Sequence, residues 1–338
     1  MKRLLVLCVT IVSFSAARGA DIREQVRIDD AFIVELGPTM RSAAFSPDGK
    51  ILVTASAGGR GAMFGGVGTH LWDPATGKKL VTLEEGDSVW SVAFTPDGRT
   101  LAGVTGGDVC LWDMQTRKLT GRLKGSQFVT RMTFSADGTI LATLGGGSGD
   151  VQIWGMKEGK VVATLKTEAK DVRALAFSGD GTSLALGCAA GPIQVWDVKA
   201  KRQTAFLRGH SKDVLELVFE PGDQTVLSAG VDKTIRRWDL TTGKATATTK
   251  MKDAAEPYGL AFGPNLATLA TADKDGGLTV WDTKTGEPVG NFKAKLRRWV
   301  FAFSPDGKWL AAVPAAVENG DQAMKSIQVW SVGKPADK

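Results

Sequence analysis

Seven times along this chain of 338 residues a phenylalanine ends a short apolar stretch, at Phe45, Phe94, Phe134, Phe177, Phe219, Phe262 and Phe303. Turn chemistry comes directly after each. Ser46–Gly49, Thr95–Gly98, Ser135–Gly138, Ser178–Gly181 and Ser304–Gly307 are variants of Ser-Pro-Asp-Gly, with looser copies starting at Glu220 and Gly263. Proline presets φ and glycine tolerates the left-handed region, so such tetrapeptides reverse the chain. A tryptophan then succeeds every phenylalanine, at Trp72, Trp112, Trp154, Trp196, Trp238, Trp281 and Trp330, at intervals of 40, 42, 42, 42, 43 and 49 residues. A period of this length restricts the fold more than any other property, because each unit must bury its apolar face against its neighbours.

Within one unit, Gly209 to Asp239, the pattern reads as three strands. Asp213–Phe219 alternates apolar and polar, Pro221–Asp223 turns, Thr225–Ala229 alternates again, Val231–Lys233 turns, and Thr234–Trp238 is a third strand. A fourth comes after a further turn, as after Thr76–Lys78 or Thr242–Lys244. Leu80–Leu83, Leu119–Leu123, Val161–Leu165, Thr204–Leu207, Ala245–Thr249 and Val289–Phe292 take that place. Four strands per unit and a period near forty predict an all-β chain, a seven-bladed β-propeller of four-stranded blades. The seventh unit lacks a fourth strand, since the chain ends in the polar Gly333–Lys338. Ala31–Leu36, AFIVEL, has the fourth-strand pattern but precedes the first phenylalanine. It is expected to complete the last blade, with 21–30 a short lead, because closure removes an unpaired sheet edge.

From its Gly209–His210 opening to its Trp238–Asp239 exit, this unit closely resembles one repeat of the WD-repeat family, in the bacterial Phe-Ser-Pro-Asp-Gly form. The resemblance extends over nearly all of residues 21–338. It implies that His210, Ser228, Asp232 and Trp238 form a buried hydrogen-bond chain, a structural tetrad. Other units depart from the family pattern. There are two histidines in the chain, His70 precedes Trp72 within a strand, and Gly155 replaces the Asp of the Trp-Asp pair. Asp108, Asp150 and Asp275 keep the turn acid without the histidine.

Residues 1–20 fall outside the repeat. Lys2 and Arg3 precede the apolar run Leu4–Phe14, which is too short to span a bilayer, and small residues come next. This is the pattern of a signal peptide, cleaved after Ala17 or Gly19, and it predicts a periplasmic or secreted protein. Removing Lys2, Arg3 and Arg18 from the 42 basic residues leaves 39 against 36 acidic ones, a net charge near +3 with no basic run. Nothing there points to nucleic acid. Cys110 and Cys188 fall in non-adjacent blades and are expected as buried thiols without a disulfide.

Catalytic patterns are missing from the sequence: no CxxC, HExxH, GxSxG elbow or phosphate-binding loop. The recurrent Asp48, Asp97, Asp137 and Asp306 sit beside turn glycines, where hydrogen bonding to the turn is their ordinary role. No cofactor and no metal site is expected. The family resemblance implies a non-catalytic scaffold that binds a protein or peptide, monomeric or within a hetero-complex. An exported propeller enzyme of lactonase or quinoprotein type, and a glycan or small-ligand module, are the alternatives.

Binding in that family commonly uses the channel rim, four residues before each phenylalanine. Those positions hold Arg41, Trp90, Thr130, Arg173, Leu215, Tyr258 and Trp299. Three aromatics, two arginines and no acid make a surface suited to hot-spot contacts and to an acidic peptide. Two long insertions, 57–68 and 314–325, flank the expected seam between the last and first blades. Arg298 and Phe64, in its Gly-rich loop, are placed on the same face.

Overall fold

The reversals after each phenylalanine are built locally. In five units the turn glycine lies near φ = +70°: Gly49 at 71°, Gly98, Gly138 and Gly181 at 70°, and Gly307 at 69°. A side chain there would be strained. The preceding hydroxyl ties the turn together. Ser46, Thr95, Ser135, Ser178 and Ser304 each donate to the Asp two residues on, at 2.6 Å. Each also accepts the backbone N–H five residues on, from Ile51, Thr100, Ile140, Ser183 and Trp309. The Ser135 and Ser178 hydroxyls lead the groups that hold Asp137 and Asp180 below the usual carboxylate range. These acids are turn fasteners.

The computed structural model describes residues 21–29, 39–57, 68–83, 89–105, 107–124, 129–145, 149–167, 169, 171–275, 277–293, 299–307, 309–314 and 326–333. The chain enters with β1 (Asp21–Asp29). Blade one holds β2 (Thr39–Phe45), β3 (Leu52–Ala57), β4 (Thr69–Trp72) and β5 (Lys79–Leu83). Blade two holds β6 (Ser91–Phe94), β7 (Thr100–Val104), β8 (Val109–Asp113) and β9 (Lys118–Leu123). Blade three holds β10 (Val129–Phe134), β11 (Ile140–Gly145), β12 (Val151–Gly155) and β13 (Lys160–Leu165). Blade four holds β14 (Val172–Phe177), β15 (Ser183–Cys188), β16 (Ile193–Asp197) and β17 (Arg202–Leu207). Blade five holds β18 (Val214–Phe219), β19 (Thr225–Gly230), β20 (Thr234–Asp239) and β21 (Lys244–Lys250). Blade six holds β22 (Pro257–Phe262), β23 (Thr268–Asp273), β24 (Gly277–Asp282) and β25 (Pro288–Lys293). Then come β26 (Trp299–Phe303), β27 (Trp309–Pro314) and β28 (Ser326–Gly333).

The sheets form a β-propeller of antiparallel, four-stranded blades. Six of them use four consecutive strands, and the remaining one has the order β1-β28-β27-β26. The first strands contact one another in sequence, β2 to β6, β10, β14, β18, β22 and β26, and β26 returns to β2. The core lies in layers between blades. One such layer joins Leu71, Leu83 and Val53 of blade one to Phe94, Leu101 and Trp112 of blade two. Another joins Ile193, Val195 and Leu207 of blade four to Phe219, Val226 and Trp238 of blade five. Cys110 and Cys188 are buried thiols, and burial pushes that of Cys188 up to about 12. Among the described residues no helix is long and apolar enough to cross a membrane.

The closing strand differs from the sequence expectation. Asp21–Asp29, not Ala31–Leu36, pairs with β28, with Ile22 opposite Val332, Val26 opposite Val329 and Ile28 opposite Ile327. Residues 31–36 lie outside the described residues. The reason is reach. Elsewhere the links from an outer strand to the next inner strand are 84–90, 124–128, 166–171, 208–213, 251–256 and 294–298. That crossing covers three strand spacings, about 14 Å. From Leu36 to the first residue of β2 the chain extends at most about 11 Å. Also, the pattern of β1 is interrupted by a bulge between Glu24 and Val26, which hides its alternation in the sequence.

A chain beginning at Asp30 should therefore lose the pairing of β28. We expect its soluble yield to fall and its thermal midpoint to drop by about 10 °C, whereas a chain beginning at Asp21 should match the full-length protein. Calorimetry of both checks this, and equal midpoints would exclude β1 as the closing strand.

Candidate functional site

The blades are held by a set of tryptophan anchors near the ends of their third strands. In four blades the indole Nε1–H donates to a hydroxyl on the second strand: Trp72 to Thr54 at 2.9 Å, Trp154 to Thr143 at 2.9 Å, Trp238 to Ser228 at 2.8 Å and Trp281 to Thr271 at 2.8 Å. In blade four Leu186 stands in that register, and Trp196 donates instead to Gln194 at 3.0 Å. In blade two Gly103 stands there, and the Trp112 ring fills the space a Cβ would need. The anchor survives substitution because a buried N–H must find an acceptor, and in blade four Gln194 supplies one where no hydroxyl stands on the second strand.

Blade five adds the histidine. His210 Nε2 lies 2.8 Å from Ser228 Oγ, and Nδ1 lies 3.0 Å from both oxygens of Asp232. Thr234 Oγ1 and the Ser211 N–H donate to the same carboxylate, at 2.8 and 3.0 Å. The His210 side chain is 0 % exposed and that of Asp232 is 5 % exposed. Burial opposes the charge of Asp232, but the His210 hydrogen bond and field, with Thr234 and Ser211, outweigh it and hold the carboxyl well below its usual range. His70, the other histidine, is buried on β4 with Nδ1 2.9 Å from Thr82 Oγ1. Both imidazoles are committed to structural hydrogen bonds.

Five of the seven rim positions share a backbone feature that the sequence does not reveal. Register shifts in the first strands leave Arg41, Thr130, Arg173, Leu215 and Tyr258 each as the extra residue of a β-bulge. A bulge turns its side chain away from the regular alternation. The outcomes differ. Arg173, Thr130 and Tyr258 are half-buried. Leu215 is 4 % exposed and packs between blades five and six. Trp90 precedes β6, is half-buried, and packs against the layer between blades two and three. Trp299 opens β26 opposite Pro314. The side chains of Arg41 and Trp299, and Arg298 and Phe64 entirely, lie outside the described residues.

The electrostatics of this face need a correction. Counting rim positions alone gave no acid, yet Asp213, from the link into blade five, places Oδ2 3.3 Å from Nε of Arg173. Its Oδ1 also accepts the Ala190 N–H at 3.1 Å. The next link is joined in the same way, by Lys212 to Glu256 at 2.8 Å. Charges of adjacent blades meet because successive blades stand side by side, a proximity that no spacing within one repeat shows. Two buried charges were also missed. Arg131 on β10 is 3 % exposed and Glu216 on β18 is 5 % exposed, each directly after a bulged residue.

With this geometry in place, comparison decides the family. The family model described as WD domain, G-beta repeat, matches residues 77–113, 116–155 and 201–239. This is a WD-repeat protein. The third matched stretch contains the complete His210 tetrad. Among curated relatives, the small ribosomal subunit protein RACK1z of Oryza sativa subsp. japonica is 29% identical over 113 residues, 31% of each chain. RACK1y of the same organism is 33% identical over 110 residues, 30% of each chain. RACK1 of Medicago sativa is 31% identical over 85 residues, 25% of this WD-repeat chain and 24% of that relative. The WD-repeat chain thus spans less than a third of the length of the curated relatives it matches.

The tetrad of this WD-repeat protein carries a pH signature. A carboxylate whose folded pKa is depressed stabilises fully above its unfolded pKa, about 3.9, and that stabilisation is lost as pH falls through the folded value. Asp232→Asn should cost about 2 kcal/mol at neutral pH. The gap between wild type and Asp232→Asn should stay constant above about pH 5 and close in acid. Urea denaturation across pH measures it, and a gap that widened in acid would contradict the assignment.

Proposed function

We propose that this protein is a non-catalytic platform that holds a protein or peptide on the face carrying the blade-to-blade links. The observation that carries this reading is the recurrence of β-bulges at one register position of the first strands. Five separate blades carry the extra backbone residue at equivalent places of their first strands. A bulge interrupts the ladder, and at Thr130, Arg173 and Tyr258 it leaves a half-buried side chain that a partner can reach. Tyr, Trp and Arg at such positions are the side chains that most often dominate binding hot spots. Membership of the WD-repeat family supports the same use, as does the naming of its partial relatives as ribosomal subunit proteins, components of a larger assembly. Both histidines are held in structural bonds, which disfavours the hydrolase alternative.

The chemistry of the partner is narrower than the rim composition suggested. Arg173 already faces Asp213, so a preference for an acidic segment rests on Arg41 and Arg298. Export is a further part of the proposal, supported by the Lys2–Phe14 pattern. Cleavage at either site that fits leaves β1 intact, so the exported protein keeps its closing strand. N-terminal mass spectrometry of the protein from its native host should find a start between Arg18 and Asp21. An intact Met1 would remove export from the proposal.

Trp299→Ala combined with Tyr258→Ala should abolish crosslinking to the native partner, each truncation costing about 2 kcal/mol of binding, while the thermal midpoint stays nearly unchanged. Trp309→Ala, at the opposite end of the strands, should leave crosslinking intact. Loss in Trp309→Ala with retention in the double variant would put the site on the other face.

A further inference from the structure

Blades five and six are built to the same register but filled differently. In blade five the space between the incoming link, 208–213, and the Trp238 ring holds two side chains of the chain itself. His210 occupies one part, and the Arg236 guanidinium lies over Trp238 at 5.9 Å from the ring centroid, with Nε 3.3 Å from Thr234 Oγ1. The fit is close. A Cβ on Gly209 would come within 2.7 Å of Arg236 Nη1 and 2.9 Å of the indole, and one on Gly230 within 3.0 Å of His210 Nδ1.

Blade six keeps the anchor, Trp281 to Thr271, but carries neither filler. Thr279 stands where Arg236 would, since Trp281 and Trp238 each lie two residues beyond that position. The link 251–256 has the same length as 208–213, but its third residue is Asp253, with φ = 54°. Asp273 replaces Gly230 at the end of the second strand. What remains is a cavity of about 430 Å³, floored by the buried Thr271 and Trp281 and lined by Lys252, Asp253, Asp273 and Glu287. Lys252 is taken by Glu287 at 3.3 Å. Asp273 uses Oδ1 for the N–H groups of Asp275 and Gly277, both at 2.8 Å. Its Oδ2 accepts no hydrogen bond among the described residues.

We propose that this cavity binds a guanidinium group from outside the chain, placed over Trp281 and charge-paired with Asp273 and Asp253, as Arg236 of the chain itself lies over Trp238. An indole wall with carboxylates at its edge suits a planar delocalised cation, which stacks and donates in its own plane at once. The volume falls within the usual range for small-ligand pockets. Two sources share this chemistry, a free small guanidine and an arginine side chain of a peptide. The cavity opens beside link 251–256 but is lined by neither Arg173 nor Tyr258 of the rim, so its failure would leave the platform reading intact.

The test is titration of the full chain, labelled with 15N at its tryptophan indoles, with agmatine, with acetyl-Gly-Arg-Gly-amide, and with the neutral citrulline analogue of that peptide. Trp281→Phe identifies the relevant resonance. A saturable shift of the Trp281 indole with the two cations, and none with citrulline, is expected. Tighter binding of agmatine would indicate a small guanidine, and tighter binding of the peptide an arginine side chain. Asp273→Asn should weaken binding about tenfold, with an unchanged thermal midpoint. Thr279→Arg should abolish it by supplying the guanidinium from within. No saturable shift, equal binding of citrulline, or unchanged binding in Thr279→Arg would each overturn the proposal.

Discussion

Everything else in this molecule depends on a single antiparallel pair, β1 against β28. Each apolar layer is shared between two blades, so a blade with only one neighbour exposes half its core side chains to water. A ring gives every blade two neighbours, and the ring exists only if its ends are joined. Strand β28 would otherwise present its backbone groups as an open edge. Joining the chain's first strand to its last turns a stack of repeats into one cooperative body, and it imposes a long-range contact that the rest of the local, sequential topology does not need.

Inside that ring, the blades solve one recurring problem in several ways. Blades one to six each carry a buried tryptophan near the end of the third strand, with an N–H that must be paired. Thr54, Thr143, Ser228 and Thr271 supply a hydroxyl from the second strand, Gln194 supplies an amide oxygen, and Gly103 makes room for the ring itself. The histidine tetrad is one elaboration of this anchor, present in full in blade five. Its rarity in the chain is thus compatible with a complete propeller, because burial and the indole hydrogen bond are retained without it. Losing the histidine leaves space, and blade six shows what such space becomes when the second filler, the arginine of the third strand, is absent as well.

Link residues give the rim its electrical character. Lys212 and Asp213 are adjacent in sequence but act on different neighbours, Asp213 reaching back to Arg173 and Lys212 forward to Glu256. Such exposed or half-exposed pairs contribute little to stability individually. They neutralise charge that would otherwise face a partner, and so affect which partners the face can attract.

Much of this was legible in the residues. The turn tetrapeptides fix where strands reverse, because their glycine, hydroxyl and carboxylate act within a few residues of one another. The tryptophan period fixes the repeat, and the resemblance of blade five to a WD repeat was enough to expect its tetrad. The sequence misplaced the closing strand, because AFIVEL has the better alternation while the bulge in β1 obscures its own, and only the reach from outer to inner strand decides between them. It named the rim positions but not the bulges that aim them, nor the burial of Leu215, nor Asp213 on Arg173. Those depend on contacts between blades some forty residues apart. Local chemistry is carried by neighbours in the chain and can be read there, whereas packing, charge pairing and empty space belong to neighbours in the ring, which only the closed tertiary structure brings together.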